Sequence, residues 1–153
     1  MIEMMKIDLV TVGKLKKDFH KTAFEYYLKR AGKYFKINLV EKNKRSSRRA
    51  HDRIVNVGKG GSEKTFSIVL DESGEEYSTS MLVELIKKLQ VSGHRSVSFY
   101  FGGPFGLDNE FKNGADKIVS LSRMTMTHEL ARVMLIEQIY RCGTILAGEK
   151  YHK

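Results

Sequence analysis

The sequence predicts an α/β protein built on a largely parallel sheet, and three observations carry that reading. Short runs rich in Ile, Val, Leu and Phe recur at Lys6–Val12, Tyr34–Val40, Thr65–Leu70, Ser96–Tyr100 and Lys117–Val119, each of strand length. Helical stretches alternate with them, and strand–helix alternation implies parallel pairing with helices packed on the sheet. The chain has 153 residues, which suits one domain with its own core. A single domain over 1–153 is therefore expected, with no repeat and no domain linker.

Taken in order, Lys6–Val12 alternates and stops at Gly13. Leu15–Ala31 then places Phe19, Ala23, Tyr26, Tyr27 and Ala31 at helical spacing, with Gly32 as a stop signal. After the second strand, six of the twelve residues from Lys42 to Arg53 are Lys or Arg, against one acid. Such a run is a solvated loop or a set of phosphate contacts that position RNA without reading its sequence. The net charge of +9 tips the balance to the second use, with Arg45, Arg48 and Arg49 as the candidate RNA contacts. Gly58-Lys59-Gly60-Gly61 lacks the G-x-x-x-x-G-K-[ST] spacing of a phosphate-binding loop and reads as flexible chain.

Thr65–Leu70 runs into Asp71-Glu72-Ser73-Gly74, which reads as a turn. Ser78, Thr79 and Ser80 offer caps for an amphipathic helix through Met81, Leu82, Leu85, Ile86 and Leu89, and Gly93 ends it. The last third holds a strand, the loop Phe101–Gly106, a short strand, the loop Ser120–Thr127 and a helix from His128 to Arg141. Thr127 is a good N-cap for that helix. Its apolar residues point in nearly all directions, so it is expected to be central. His128 and Arg132 share a face, as do Glu137 and Arg141. The second pair reads as an ion pair. For Arg132, an internal ion pair stands equally open with a functional place, as a wall of the active site or at a subunit interface.

Composition narrows the classes. The charge favours polyanionic partners, although it also serves solubility. No apolar run reaches membrane-spanning length, and the N-terminus lacks a signal peptide's apolar core. A cytoplasmic protein with no membrane partner is expected. Cys142 is the one cysteine, which rules out an internal disulfide and reads as a packed thiol. The five histidines are scattered and no Cys/His cluster has zinc spacing, so no metal is expected.

In open parallel sheets, ligands bind outside the carboxyl ends of the strands. The loops at Leu70–Gly74, Gly102–Gly106 and Leu121–Thr127 occupy that position. Gly102 and Gly103 let the backbone approach a ligand closely, and Pro104 stiffens the turn. Alone, this loop reads as a tight structural turn. Met124 and Met126 alternate with Thr125 and Thr127. That pattern makes either an apolar slot for an adenine ring or a connection packing its methionines into the core. The residues by themselves favour the connection. The ending Tyr151-His152-Lys153 combines a stacking ring, an imidazole and a cation, all useful to an RNA enzyme, and equally reads as a solvated end.

Four motifs in the last third resemble one family. They are the GGPxG turn at Gly102–Gly106, the SLSxMTxxH loop at Ser120–His128, the ELARxxLxEQxYR helix at Glu129–Arg141 and the GExYHK ending at Gly148–Lys153. Together they resemble the RlmH family, SPOUT-superfamily methyltransferases that modify a pseudouridine of large-subunit ribosomal RNA. The strand Lys6–Gly13 matches more loosely. Where this chain has its basic run, family members carry a longer helix, and no site residue is carried over there. Cys142 stands where a small residue is usual.

The resemblance implies a SPOUT fold with a C-terminal deep trefoil knot, and a homodimer paired through the knotted region. It implies S-adenosylmethionine held by Leu70, by Gly102 and Gly103, and by Ser122, Arg123, Met124, Thr125, Met126 and Thr127. The implied reaction is N3-methylation of a pseudouridine in large-subunit ribosomal RNA on the assembled ribosome. The acceptor imide must lose a proton, and a base or a cation facing the developing anion lowers the barrier. Candidates are His128, Arg132, Arg141 and His152. His152 is placed at the proton or the base, with Tyr151 and Lys153 holding substrate and the tail beside the cofactor loops. Two other functions compete: the same chemistry on transfer RNA, and a non-catalytic RNA-binding assembly factor.

Overall fold

The computed structural model describes residues 3–42, 65–102 and 109–152. Arg45, Arg48, Arg49, Gly58–Gly61, Gly103 and Lys153 lie outside the described residues. Within them the elements are β1 (Lys6–Val12), α1 (Asp18–Ala31), β2 (Lys36–Lys42), β3 (Thr65–Glu76), α2 (Thr79–Val91), β4 (Ser96–Phe101), α3 (Asn109–Asn113), β5 (Lys117–Ser120) and α4 (His128–Leu146). The strands form a five-stranded parallel sheet in the order β2-β1-β4-β3-β5. All carboxyl ends therefore meet at one edge. Among the described residues, no helix is long and apolar enough to cross a membrane.

The strand period of two sorts the core. Ile7, Leu9, Val97, Phe99, Phe101, Ile68 and Val119 join the buried residues of α1, α2 and α4 in one cluster. Val69 and Tyr100 pack with Phe111 of α3 in a second cluster. β4 is buried at every position, as a central parallel strand covered on both sides should be. α4 is central, as its sequence implies: Leu135, Ile136, Ile139 and Cys142 are buried, and burial pushes the Cys142 thiol up to about 12. It is a packed thiol. Ser78 and Thr127 cap α2 and α4 through the amides of Met81 and Leu130.

Several boundaries differ from the sequence reading. α1 begins at Asp18, not Leu15, and β2 spans Lys36–Lys42 instead of Tyr34–Val40. α4 continues past Arg141 to Leu146, and the short α3 carries too few residues to show a period. The larger correction is β3. The expected turn at Asp71–Gly74 is a bulge inside a longer strand, since Leu70 and Glu75 both pair with Val119 of β5. Gly74 makes this possible, because a Cβ there would lie 2.7 Å from the backbone of Ile118 and Val119. Gly74→Ala is expected to cost about 1–3 kcal/mol through forced backbone shifts. A urea midpoint equal to wild type would show that the two backbones do not approach so closely.

Candidate active site

A cleft of about 780 Å³ opens at the carboxyl edge of the sheet, within the range of small-ligand sites. Three segments build it. The β3 bulge supplies Leu70, Asp71, Glu72 and Ser73, the end of β4 supplies Phe101 and Gly102, and the loop after β5 supplies Ser120–Ser122 and Met124–Thr127. The first turn of α4 closes it with His128, Glu129 and Ala131.

Each segment is tied to another. The Asp71 carboxylate accepts bonds from the Ser73 amide (3.0 Å) and the Ser73 hydroxyl, and pairs with Lys112 of α3 at 3.1 Å. Burial alone would raise its pKa, but the Ser73 bonds and Lys112 outweigh that and hold it below the ordinary value. Lys112 thus fastens α3 to the bulge. Thr125 donates to Glu72 at 3.4 Å. Ser120 donates to the Ser122 carbonyl (2.8 Å), and the Met124 amide donates to the Ser122 hydroxyl (2.9 Å). These bonds turn the loop so that Met124 is 79 % exposed while Met126 is half-buried. Both line the cleft, so the methionines do not pack together into the core.

Leu70, Gly102, Ser122, Met124, Thr125, Met126 and Thr127 are therefore brought together. Arg123 is not. Its side chain is 91 % exposed and pairs with Glu76 at 2.9 Å, away from the lining. A second, apolar cavity of about 200 Å³ lies between the sheet, α2 and α4, and shares Leu70 and Leu121 with the cleft.

The α4 charges divide into two groups. Arg132, only 2 % exposed, forms neither the internal ion pair nor the cleft wall that the sequence left open. Its guanidinium donates to the carbonyls of Val12 (2.7 Å) and Gly13 (3.1 Å) at the end of β1, and it is not among the residues lining the cleft. Burial lowers its pKa while Glu41 and Glu129 oppose that; an arginine so placed still remains charged. One turn earlier, Glu129 accepts bonds from the backbone amides of Lys16 and Lys17, and His20 Nδ1 lies 3.5 Å from its other oxygen. Lys17 offers no side-chain cap to α1, so a carboxylate from α4 serves that helix N-terminus. The Lys16 amide bond is the main reason the Glu129 pKa is lowered. Sequence reasoning missed Glu129, because its partners lie more than a hundred positions away.

The second group surrounds Glu137. Arg141 binds it through Nε (3.1 Å) and through a terminal nitrogen (2.5 Å), the expected ion pair; that bond is the main reason the Arg141 pKa is raised. The Tyr151 hydroxyl donates to the same oxygen at 3.0 Å, and its ring lies 4.6 Å from that of Tyr140. Burial and then Glu137 push Tyr151 up to about 12. His152 Nδ1 is 3.2 Å from an Arg141 nitrogen. Arginine can only donate, so Nδ1 accepts and Nε2 carries the hydrogen. Glu149 is held by the Tyr34 hydroxyl (2.6 Å) and by Lys33 (3.3 Å). The tail is therefore tied to α4 and to Tyr34 while its described residues stay exposed. None of the described tail residues lines the cleft, and Glu137 and Arg141, which hold the tail, lie about 15–20 Å along the helix from Thr127.

Fold and cleft together define a class, a parallel α/β protein with an open cleft at the carboxyl edge of β3, β4 and β5. A family profile described as "Predicted SPOUT methyltransferase" matches residues 5–152, and the chain belongs to that family. Relatives include proteins named "Ribosomal RNA large subunit methyltransferase H" from Clostridium novyi (strain NT), 39 % identical, and from Clostridium botulinum (strain Kyoto / Type A2), 35 % identical. Each alignment covers 97 % of this chain and all of the relative. A similar solved structure is the tRNA (m1G37) methyltransferase of Aquifex aeolicus, with TM-score 0.58 and 16 % identity over 91 % of this chain and 70 % of that one. That likeness is one of fold.

Proposed function

We propose that the protein is an S-adenosylmethionine-dependent methyltransferase acting on N3 of a pseudouridine in large-subunit ribosomal RNA, on the ribosome, as a cytoplasmic homodimer whose C-terminal passage forms the family's trefoil knot. The observation that carries this reading is the cleft, in a chain whose full-length relatives bear the ribosomal RNA methyltransferase name. Its chemistry fits the donor. Leu70, Phe101, Leu121 and Met126 offer an apolar wall for adenine, backbone groups of Ser122–Met126 offer hydrogen bonds, and Glu72 sets a carboxylate at the rim for a cationic ligand. When bound, S-adenosylmethionine supplies an electrophilic methyl group.

The chain's own residues treat the acceptor. Deprotonation of the imide leaves negative charge on N3 and its flanking carbonyl oxygens. His152 presents Nε2–H as a donor to such an oxygen, and Arg141 adds positive charge behind it. Tyr151 holds the pair in place through Glu137, and the N3 proton leaves to solvent. Because the tail cluster, centred on Glu137 and Arg141, lies about two to four turns along α4 from the cleft, the tail of one subunit serves the cleft of the other. His128, which lines the cleft, then faces the incoming base.

The test is tritiated-methyl transfer to ribosomes from a strain lacking the enzyme, followed by mass mapping of the labelled nucleotide. A single methylated pseudouridine in the large-subunit RNA is expected. Label in transfer RNA instead would support the alternative substrate, and no transfer to any RNA would leave the assembly-factor reading.

A further inference from the structure

We infer that the loop between β1 and α1, residues 13–17, is the phosphate grip of the RNA site, with Lys14, Lys16 and Lys17 contacting the backbone of the bound RNA. This rests on the reading of the protein as an RNA methyltransferase and names the surface that receives the RNA. The loop leaves the same sheet edge as the cleft, because the sheet is parallel throughout. It is held as a rigid part: Arg132 grips the carbonyls of Val12 and Gly13, Glu129 grips the amides of Lys16 and Lys17, and the Gly13 amide donates to the Lys42 carbonyl at 2.6 Å. Gly13 turns the chain with φ +78°, a conformation that favours glycine.

Every backbone tie points inward, while the side chains of Lys14, Lys16 and Lys17 are exposed. Glu129 lines the cleft and also holds the Lys16 and Lys17 amides, so the lysines stand at its border. Lys21 on α1 and Lys42 at the end of β2 add to the positive charge, against the exposed acids Asp18 and Glu41. Phe19, 67 % exposed beside the loop, offers a stacking face. Cations next to an exposed ring suit RNA, where phosphate contacts supply affinity and rings receive unpaired bases. A buried acid and a buried arginine spent on the backbone of a lysine loop are otherwise a costly way to hold a connection.

The experiment measures methyl transfer against ribosome concentration at several salt concentrations. It compares wild type, the triple variant Lys14→Gln/Lys16→Gln/Lys17→Gln, and the corresponding triple Lys→Arg variant. The Gln variant is expected to raise KM for ribosomes by about tenfold and to flatten the salt dependence by roughly two units of log–log slope, the counterions of about three phosphate contacts. Its kcat and its calorimetric affinity for S-adenosylmethionine should stay near wild type, and the Arg variant should behave as wild type. Unchanged KM and salt slope in the Gln variant would overturn the assignment. So would an equal defect in the Arg variant, or a loss confined to kcat. Failure of the functional reading looks different, because wild-type protein would then transfer no methyl group to ribosomes.

Discussion

His152→Ala loses about a hundredfold or more of the methyl transfer to ribosomes, the scale seen when one preorganised donor is removed from a developing anion, while S-adenosylmethionine binding stays within twofold. The basis is the tautomer. Arg141 donates to Nδ1 at 3.2 Å, so in the proposed site Nε2–H is the group turned to the substrate. A donor role and a base role separate at His152→Gln. The Gln amide can still donate, so this variant should retain clearly more activity than Ala if the side chain stabilises the anion. Equal loss in both variants would assign His152 to proton removal. Near-normal transfer by His152→Ala would remove the tail from the chemistry altogether. Substitution is a cleaner test than truncation after Gly148, which would also remove the Glu149 link to Tyr34.

Mixing two inactive proteins restores activity. Gly102→Val fills the cleft lining and should abolish donor binding, while His152→Ala disables the tail. If each site takes its cleft from one subunit and its tail from the other, random reassortment of the two variants gives half mixed dimers. Each mixed dimer carries one intact site of two, so about a quarter of wild-type activity returns. If a tail serves its own cleft, no mixed dimer has an intact site and the mixture stays dead. Sedimentation showing a monomer at micromolar concentration would also sink the shared site.

Local pattern and nearest-neighbour chemistry were legible in the sequence. Strand–helix alternation implied the parallel sheet, the all-round apolar character of α4 implied its central position, and the i, i+4 spacing of Glu137 and Arg141 implied their ion pair. The features that were not legible depend on distant chain. Asp71–Gly74 has the composition of a turn, and only the passage of β5 alongside makes it a bulge. Arg132 lies one turn from His128, but its partners are the carbonyls of Val12 and Gly13, out of reach of any periodicity argument. The cleft lining was indicated by three loops at strand ends. Arg123 shows the limit of that rule, since a residue within the right loop turns its side chain to Glu76.

The first turn of α4 touches two surfaces at once. His128 and Ala131 face the cleft, while Glu129 and Arg132 fasten the lysine loop. A helical turn has a fixed pitch, so if the lysine loop grips RNA as proposed, the span from that grip to the cleft varies only by the reach of the lysine side chains. Such an arrangement would work as a gauge. On the proposed reading it would select its nucleotide partly by reach along the RNA, and a base whose phosphate lies outside the span of those lysine side chains would be presented out of line.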